Sequence, residues 1–217
     1  GRRDYNHLRV FSAGWEPNED ERLIRGRRST GTESETPART LARATVDAAR
    51  RYVRGFSLTL TLRNDRFGRG GDHSSFLTEG YPSAVRFTEP IENWNHQHQD
   101  LRTEKGVVYG DLPEFVDYPY LTRVTKTAVA WVAELASAPL PPARVRVKSE
   151  LSSNTSLSWD ESVGATAYEV LMRRTTDADW HPRTKLLPAT TREIVLTESK
   201  DDYIFAIRAV SADGARG

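Results

Sequence analysis

Gly71-Asp72-His73-Ser74-Ser75-Phe76, followed by Asn95-His96-Gln97-His98-Gln99-Asp100, is the stretch on which the reading of this chain turns. The connecting segment Gly80-Tyr81-Pro82-Ser83-Ala84-Val85-Arg86-Phe87-Thr88-Glu89 opens with turn residues, then alternates apolar and polar side chains with the period of a strand. Three of the five histidines lie in this window, beside Asp72 and Asp100. Imidazole and carboxylate bind zinc and orient its ligands, so the pattern points to a metal site. Zinc takes three or four protein ligands, and the window does not supply them all.

Working outward, Phe56, Leu58, Leu60 and Leu62 alternate with Ser57, Thr59 and Thr61, which predicts a strand. Thr36-Pro37 marks a helix start, with Thr as the cap and Pro in the first turn. Leu41, Ala44, Thr45, Ala48, Ala49 and Tyr52 recur at helical spacing, leaving Arg39, Arg43, Arg50 and Arg51 toward water until Gly55. Leu8 to Ser12 reads as a short strand. Residues 13–36 are polar and read as a long surface loop, with Arg25-Gly26-Arg27-Arg28 as a solvated basic patch. Inside the window, Asp72-His73 falls in a loop, Ser75 to Glu79 in a short helix stopped by Gly80, and Ala84 to Thr88 in a strand. A loop then runs to about Pro113, and a helix is expected over 117–137, with Asp117 and Pro119 at its start and an apolar stripe of Leu121, Val124, Ala128, Trp131 and Leu135. Strands alternating with helices predict an α/β layer structure with a partly parallel sheet.

The pattern changes after Ala138-Pro139-Leu140-Pro141-Pro142, a stiff linker over 138–142. Val145 to Val147, Ser156 to Trp159, Ala167 to Leu171, Glu193 to Leu196 and Tyr203 to Val210 are strand-like with no helix between them, so 143–217 is a second, all-β domain.

The 31 basic and 30 acidic residues nearly cancel, leaving no overall field to recruit nucleic acid or an anionic membrane. Cysteine is absent, which excludes disulfides, thiol catalysis and cysteine-ligated zinc. No apolar run reaches the roughly 18–20 residues of a membrane span. Ser74 and Ser75 beside Asp72-His73 do not make a serine hydrolase, because a Ser-His-Asp triad converges from separate segments and no Gly-x-Ser-x-Gly elbow is present. His96 and His98 would face the same side on an extended segment.

The order Asp72-His73, Gly-Tyr-Pro turn, strand ending at Glu89, then His-x-x-x-Asp from His96 to Asp100 resembles the C-terminal half of the M-twenty-eight family of zinc metallopeptidases. That family includes secreted aminopeptidases and glutamate carboxypeptidase, and the resemblance covers roughly residues 1–137. It implies part of a zinc-exopeptidase (phosphorylase/hydrolase-like) α/β/α sandwich and two zinc ions, one of them bound by His96. Asp72 then belongs to the hydrogen-bonded shell of the metals, His73 lines or orients the pocket, Asp100 braces the loop or the ligand, and His98 is only a neighbour. Gly71 stands where relatives often carry Ser. The resemblance also implies a His-x-Asp pair, an adjacent Glu-Glu holding the general base, and a further Asp, all upstream. His7 is followed by Leu8-Arg9, and Glu19-Asp20-Glu21 contains no Glu-Glu. Gly1-Arg2-Arg3-Asp4 lacks an initiator Met, so the chain is expected to begin just after the last upstream ligand, to bind zinc weakly and to have no peptidase activity alone. The implied function is zinc-dependent, aminopeptidase-like hydrolysis of peptide or protein substrates, in a secreted or periplasmic protein. A glutaminyl-cyclase-like acyltransferase and a non-catalytic binding scaffold are the alternatives.

Residues 143–217 resemble a fibronectin type III module, an immunoglobulin-like sandwich. Leu157-Ser158-Trp159, Tyr168-Glu169-Val170 and Tyr203-Ile204-Phe205-Ala206-Ile207-Arg208-Ala209 carry that resemblance. It implies Trp159 and Tyr168 packed between two sheets and a corner hydrogen bond from Tyr203. The last strand is expected where the chain stops, at Gly217, so an incomplete sandwich is expected. The module is either a surface or polymer attachment or a structural appendage.

Overall fold

The computed structural model describes residues 5–217, and the opening Gly1-Arg2-Arg3-Asp4 lies outside the described residues. Contacts divide the chain into two units, one of residues through Ile24 with Glu33–Trp131, the other of Arg25–Thr32 with Val132–Gly217. The order is β1 (His7–Ser12), α1 (Glu21–Thr30), α2 (Pro37–Tyr52), β2 (Ser57–Thr61), α3 (Asp72–Thr78), β3 (Val85–Thr88), β4 (Arg102–Glu104), β5 (Val107–Tyr109), a 3-10 turn (Pro113–Phe115) and α4 (Tyr118–Ser137). Seven strands follow: β6 (Arg146–Val147), β7 (Thr155–Ser158), β8 (Ala167–Arg174), β9 (His181–Pro182), β10 (Leu187–Pro188), β11 (Glu193–Leu196) and β12 (Tyr203–Val210).

β1 is the central strand of the first unit, parallel to β2 with Leu8 opposite Leu58, and antiparallel to β3 with Val10 opposite Phe87. Alternation puts Leu8 and Val10 on one face. Leu8 packs with Val53, Phe56, Tyr120 and Val124, and Val10 with Ala42 and Val46, so α2 and α4 both cover that face. The opposite face carries His7, whose ring nitrogens each lie 2.7 Å from a hydroxyl of Ser57 or Thr59, together with Arg9 and Phe11. The described residues thus form a sheet with one helical layer, and the second helical layer of an α/β/α sandwich is not among them.

α2 starts as its sequence dictates, with the Thr36 hydroxyl accepting from the Arg39 amide at 3.4 Å and donating to the Ala13 carbonyl at 2.6 Å. Its buried residues are Ala38, Ala42, Thr45, Val46, Ala48 and Ala49, mostly small side chains that let the helix approach the sheet. Tyr52 is exposed, and Arg43 turns inward to Glu35 at 3.4 Å rather than to water.

Two expected loops contain structure. α1 occupies much of 13–36, started by Asp20, whose carboxylate accepts from the Leu23 amide at 2.7 Å, with Glu21 in the first turn and Arg27 and Arg28 in the last. None of its residues is buried, so it has no apolar face for periodicity to reveal. The loop to Pro113 holds the β4–β5 hairpin, turning at Lys105 (φ 52°) and Gly106 (φ 78°), the two left-handed residues of a type I′ turn. α4 begins at Asp117, which accepts from the Tyr120 amide at 2.9 Å. It presents Tyr120, Val124, Thr127 and Trp131 inward, while Leu121 and Leu135 of the expected stripe are exposed.

In the second unit, β8 pairs with β12 along its length and with β9 and β10 on its other edge, and β7 lies between β11 and β6. The core is Leu157, Trp159, Tyr168, Val170, Leu196, Ile207 and Ala209, with Trp159 edge-on to Tyr168 at 5.6 Å. The Tyr203 ring is half-buried under Arg174, and its hydroxyl makes no hydrogen bond among the described residues. The tyrosine that holds a backbone amide is Tyr168, whose hydroxyl accepts from the Ser162 N–H at 2.9 Å.

Candidate metal centre

His96 sits in the loop after β3, where its amide donates to the Asn93 carbonyl at 3.0 Å and closes a turn. Its ring stacks on Phe115, with centroids 3.6 Å apart and planes 16° from parallel. Nδ1 lies 3.1 Å from the Gly110 carbonyl oxygen. A carbonyl only accepts, so Nδ1 carries the proton, and in the neutral ring the Nε2 lone pair is the one able to bind a metal. Gly110 is bound in return, its amide donating to the Asn95 carbonyl at 3.0 Å. At φ 141° and with Leu101 3.0 Å from any added Cβ, residue 110 has to be glycine.

The neighbours of His96 are arranged differently from the expectations. His98 has a left-handed backbone (φ 54°), so the segment is not extended and the two-residue spacing does not align His96 with His98. Asp100 is exposed, and its carbonyl accepts from Arg102 at 3.4 Å. Among the described residues, the bracing of His96 comes from Gly110 and Phe115.

α3 starts at Asp72, three residues before the expected helix, because Gly71 serves as its cap. Asp72 is exposed in the first turn. His73 is buried, with Nε2 2.9 Å from the Asn64 carbonyl, so Nε2 carries the proton and a buried Nδ1 lone pair is left without a partner. Nε2 also lies 3.6 Å from Asp65 Oδ2.

Asp65 opens a charge network that the motif reading missed. Its side chain is 3% exposed, its Oδ1 is 3.2 Å from Arg66 Nε and 3.5 Å from Arg86 Nε on β3. The other end of Arg66 donates through Nη1 to Glu92 Oε1. Arg9 Nη2 and Arg69 Nη2 approach Glu92 at 3.9 and 3.8 Å. Burial lowers the Arg66 pKa, but the hydrogen bonds to Glu92 and Asp65 outweigh it and hold the guanidinium above its ordinary value. Glu92 stands just before the turn that carries His96. The only signal in the sequence was charge spacing in Asn64-Asp65-Arg66 and Pro90-Ile91-Glu92, which looks like any solvated loop.

Two clefts flank the loop from Glu89 to Trp94. One, of about 390 Å³, is largely apolar and lined by Leu8, Phe87, Ile91, Phe115, Tyr120 and Val124, so Phe115 both supports His96 and forms its wall. The other, of about 380 Å³, is lined by Arg9, Arg66, Arg69, Glu92 and Trp94. Among the described residues no three His, Cys, Asp or Glu side chains form a group able to hold a metal. No helix among them is long and apolar enough to cross a membrane.

No family model matches the chain. It is 43% identical over 220 residues to a protein of Leptosphaeria maculans named probable zinc metalloprotease, an alignment covering 100% of this chain and 50% of that one. Proteins of the same name from Pyrenophora teres f. teres and Pyricularia oryzae are 41% and 42% identical, covering 99% of this chain and 45% and 44% of theirs. The chain therefore spans about half the length of the curated relatives it matches. Among solved structures, a chain titled myokine structure aligns with 37% of this chain and 87% of its own, at 20% identity and a TM-score of 0.31. The FN3 domain of human collagen XX aligns with 36% of this chain and 88% of its own, at 17% identity and a TM-score of 0.30.

Proposed function

We propose that this chain is the C-terminal half of a zinc-dependent exopeptidase of the aminopeptidase type, secreted or periplasmic, acting on peptides with two zinc ions. The observation that carries the reading is the His96 imidazole, held at Nδ1 by the Gly110 carbonyl and stacked on Phe115, with Nε2 left to bind metal. Relatives named probable zinc metalloprotease match the chain end to end and extend beyond it. The remaining ligands and the general base belong to the other half of the longer protein, whose helices cover the sheet face bearing the half-buried His7 and Arg9. Zinc, when bound, supplies a Lewis acid for the scissile carbonyl and lowers the pKa of water. This chain contributes the held imidazole, and the apolar cleft beside Phe115 gives a substrate side chain a place out of water. Asp72, exposed in the first turn of α3, joins the hydrogen-bonded shell of the metals, the buried His73 orients the pocket, and Asp100 flanks the ligand loop. The β-sandwich serves surface or polymer attachment.

The test uses the longer protein and its His96→Ala variant, measuring bound zinc and hydrolysis of aminoacyl-nitroanilides. Loss of zinc and of hydrolysis in the variant, with weak zinc binding and no hydrolysis in the 217-residue chain alone, is the expected result. A variant that keeps its zinc and its rate overturns the assignment. Cyclisation of glutaminyl peptides without nitroanilide hydrolysis would replace the peptidase by the acyltransferase.

A further inference from the structure

The three charges of Glu92, Arg66 and Asp65 are withdrawn from water, their side chains 7%, 9% and 3% exposed. Taking an ion out of water costs several kcal/mol, and apolar residues of the same volume often stabilise as well or better. Anchoring a loop therefore does not by itself call for this arrangement. What an ion triad adds is direction. The planar guanidinium of Arg66 grips one carboxylate through Nε and the other through Nη1, which fixes the two at a set angle.

Each end of the triad is tied to the sheet. Asp65 also receives Arg86 from β3 at 3.5 Å, and Glu92 receives Arg9 from β1 at 3.9 Å. Arg9 further donates to the Glu89 carbonyl at 2.6 Å, holding the start of the same loop. The residue after Glu92 is Asn93, whose carbonyl accepts the His96 amide. The triad thus anchors the residue next to the turn that carries His96, while Gly110 holds the ring at Nδ1 and Phe115 holds one of its faces.

We infer that Asp65, Arg66 and Glu92 are positioning residues for the His96 imidazole, setting the direction in which Nε2 meets the metal. The inference rests on the reading of His96 as a zinc ligand. Partners that orient a metal ligand are worth roughly 10–100-fold in metal affinity when altered. Glu92→Gln, which keeps volume and one acceptor, and Arg66→Met, which keeps the stem and removes the fork, should each weaken zinc binding by about that factor.

The experiment takes the longer protein, measures zinc affinity by chelator competition, records the visible spectrum of the cobalt(II)-substituted form, and follows thermal unfolding. Arg43→Met, which breaks the half-buried pair with Glu35, serves as the control for lost stability alone. The expected result is weaker zinc binding and an altered cobalt spectrum in Glu92→Gln and Arg66→Met, partial recovery in Arg66→Lys, and no change in Arg43→Met beyond its melting temperature. Unchanged affinity and spectrum in both variants, whatever their melting temperatures, overturns the inference while leaving His96 as a ligand. Unchanged zinc affinity in His96→Ala overturns the parent reading and this one with it. Should Arg66→Met fail to fold, the near-isosteric Glu92→Gln decides the question by the same two readouts.

Discussion

Gly71→Ala places a methyl group where the Arg86 guanidinium lies. The new Cβ would stand 1.6 Å from Nη1 and 2.8 Å from Cζ, and 3.2 Å from His73 Nδ1. Backbone strain plays no part, because φ −175° at Gly71 is extended chain open to any residue. The end of an arginine swings away easily, so the cost is not the clash but what Arg86 leaves behind: an approach of 3.5 Å to the buried Asp65 carboxylate. That approach is an ion pair and not a hydrogen bond; breaking a fully buried pair by removing one partner costs roughly 3–5 kcal/mol. Arg86 is 24% exposed, and Asp65 keeps Arg66 and His73, so about 1–2 kcal/mol is the loss expected here. Replacing glycine returns about 0.4–1 kcal/mol through the unfolded chain. The net destabilisation is then on the order of 0.5–1 kcal/mol, read as faster amide exchange in α3 and β3. The decisive measurement is the double-mutant cycle. With Arg86→Ala already in place only the 3.2 Å contact with His73 Nδ1 remains, and Gly71→Ala should become close to neutral, a coupling of about 1 kcal/mol. If the two changes add within about 0.3–0.5 kcal/mol, the account of Gly71 as the seat of Arg86 is wrong.

Other parts of the chain give equally direct tests. Tyr168→Phe keeps the sandwich core filled but leaves the Ser162 amide without its acceptor, so it should cost about 1–3 kcal/mol, seen in urea unfolding of the second unit. The hydrogen bond from Arg183 at 2.5 Å, the largest influence on Glu198, holds that carboxyl below its ordinary value. A depressed folded pKa means the carboxylate stabilises the fold above its unfolded pKa and loses this as pH falls through the folded one. The stability gap between the wild type and Arg183→Ala should therefore be full near neutrality and shrink on acidification below the ordinary carboxyl value of 4.5; a gap independent of pH would contradict the pairing. Gly106→Ala forces a side chain to φ 78° and should loosen the β4–β5 hairpin by about 1 kcal/mol, with Gly106→Asn milder, measured by amide exchange at Val107 and Val108.

What the sequence disclosed about the fold follows the physics of burial. β1, β2, β3 and α2 have one wet face and one dry face, and their periodicity located them to within a residue or two. α1 has no dry face at all, so only its cap, Asp20 with Glu21 beside it, marked it, and a cap inside a polar stretch looks like a turn. The β4–β5 hairpin is mostly exposed on both faces and was signalled by Lys105-Gly106 alone. The sandwich core was legible because Trp159 and Tyr168 are large and fully enclosed, whereas the corner bond assigned to Tyr203 failed because that ring lies half in water under Arg174.

The candidate site divides along the same line. A motif exposes the residues whose chemistry is unusual for a loop, and so His96, His73 and Asp72 stood out. It does not expose residues that hold those in place, because Asp65, Arg66 and Glu92 have the composition of any soluble surface and differ only in side chains largely withdrawn from water. Gly110 was invisible for a further reason: its role is a carbonyl, which every residue has, and its demand for glycine lies in a backbone angle. The chemistry of His96 depends on that carbonyl, since an imidazole without it could place its proton on either nitrogen. A substitution such as Gly110→Ala, which changes no side chain that touches metal, should therefore disturb the site as much as changes made closer to it, by moving the acceptor that keeps the Nε2 lone pair free.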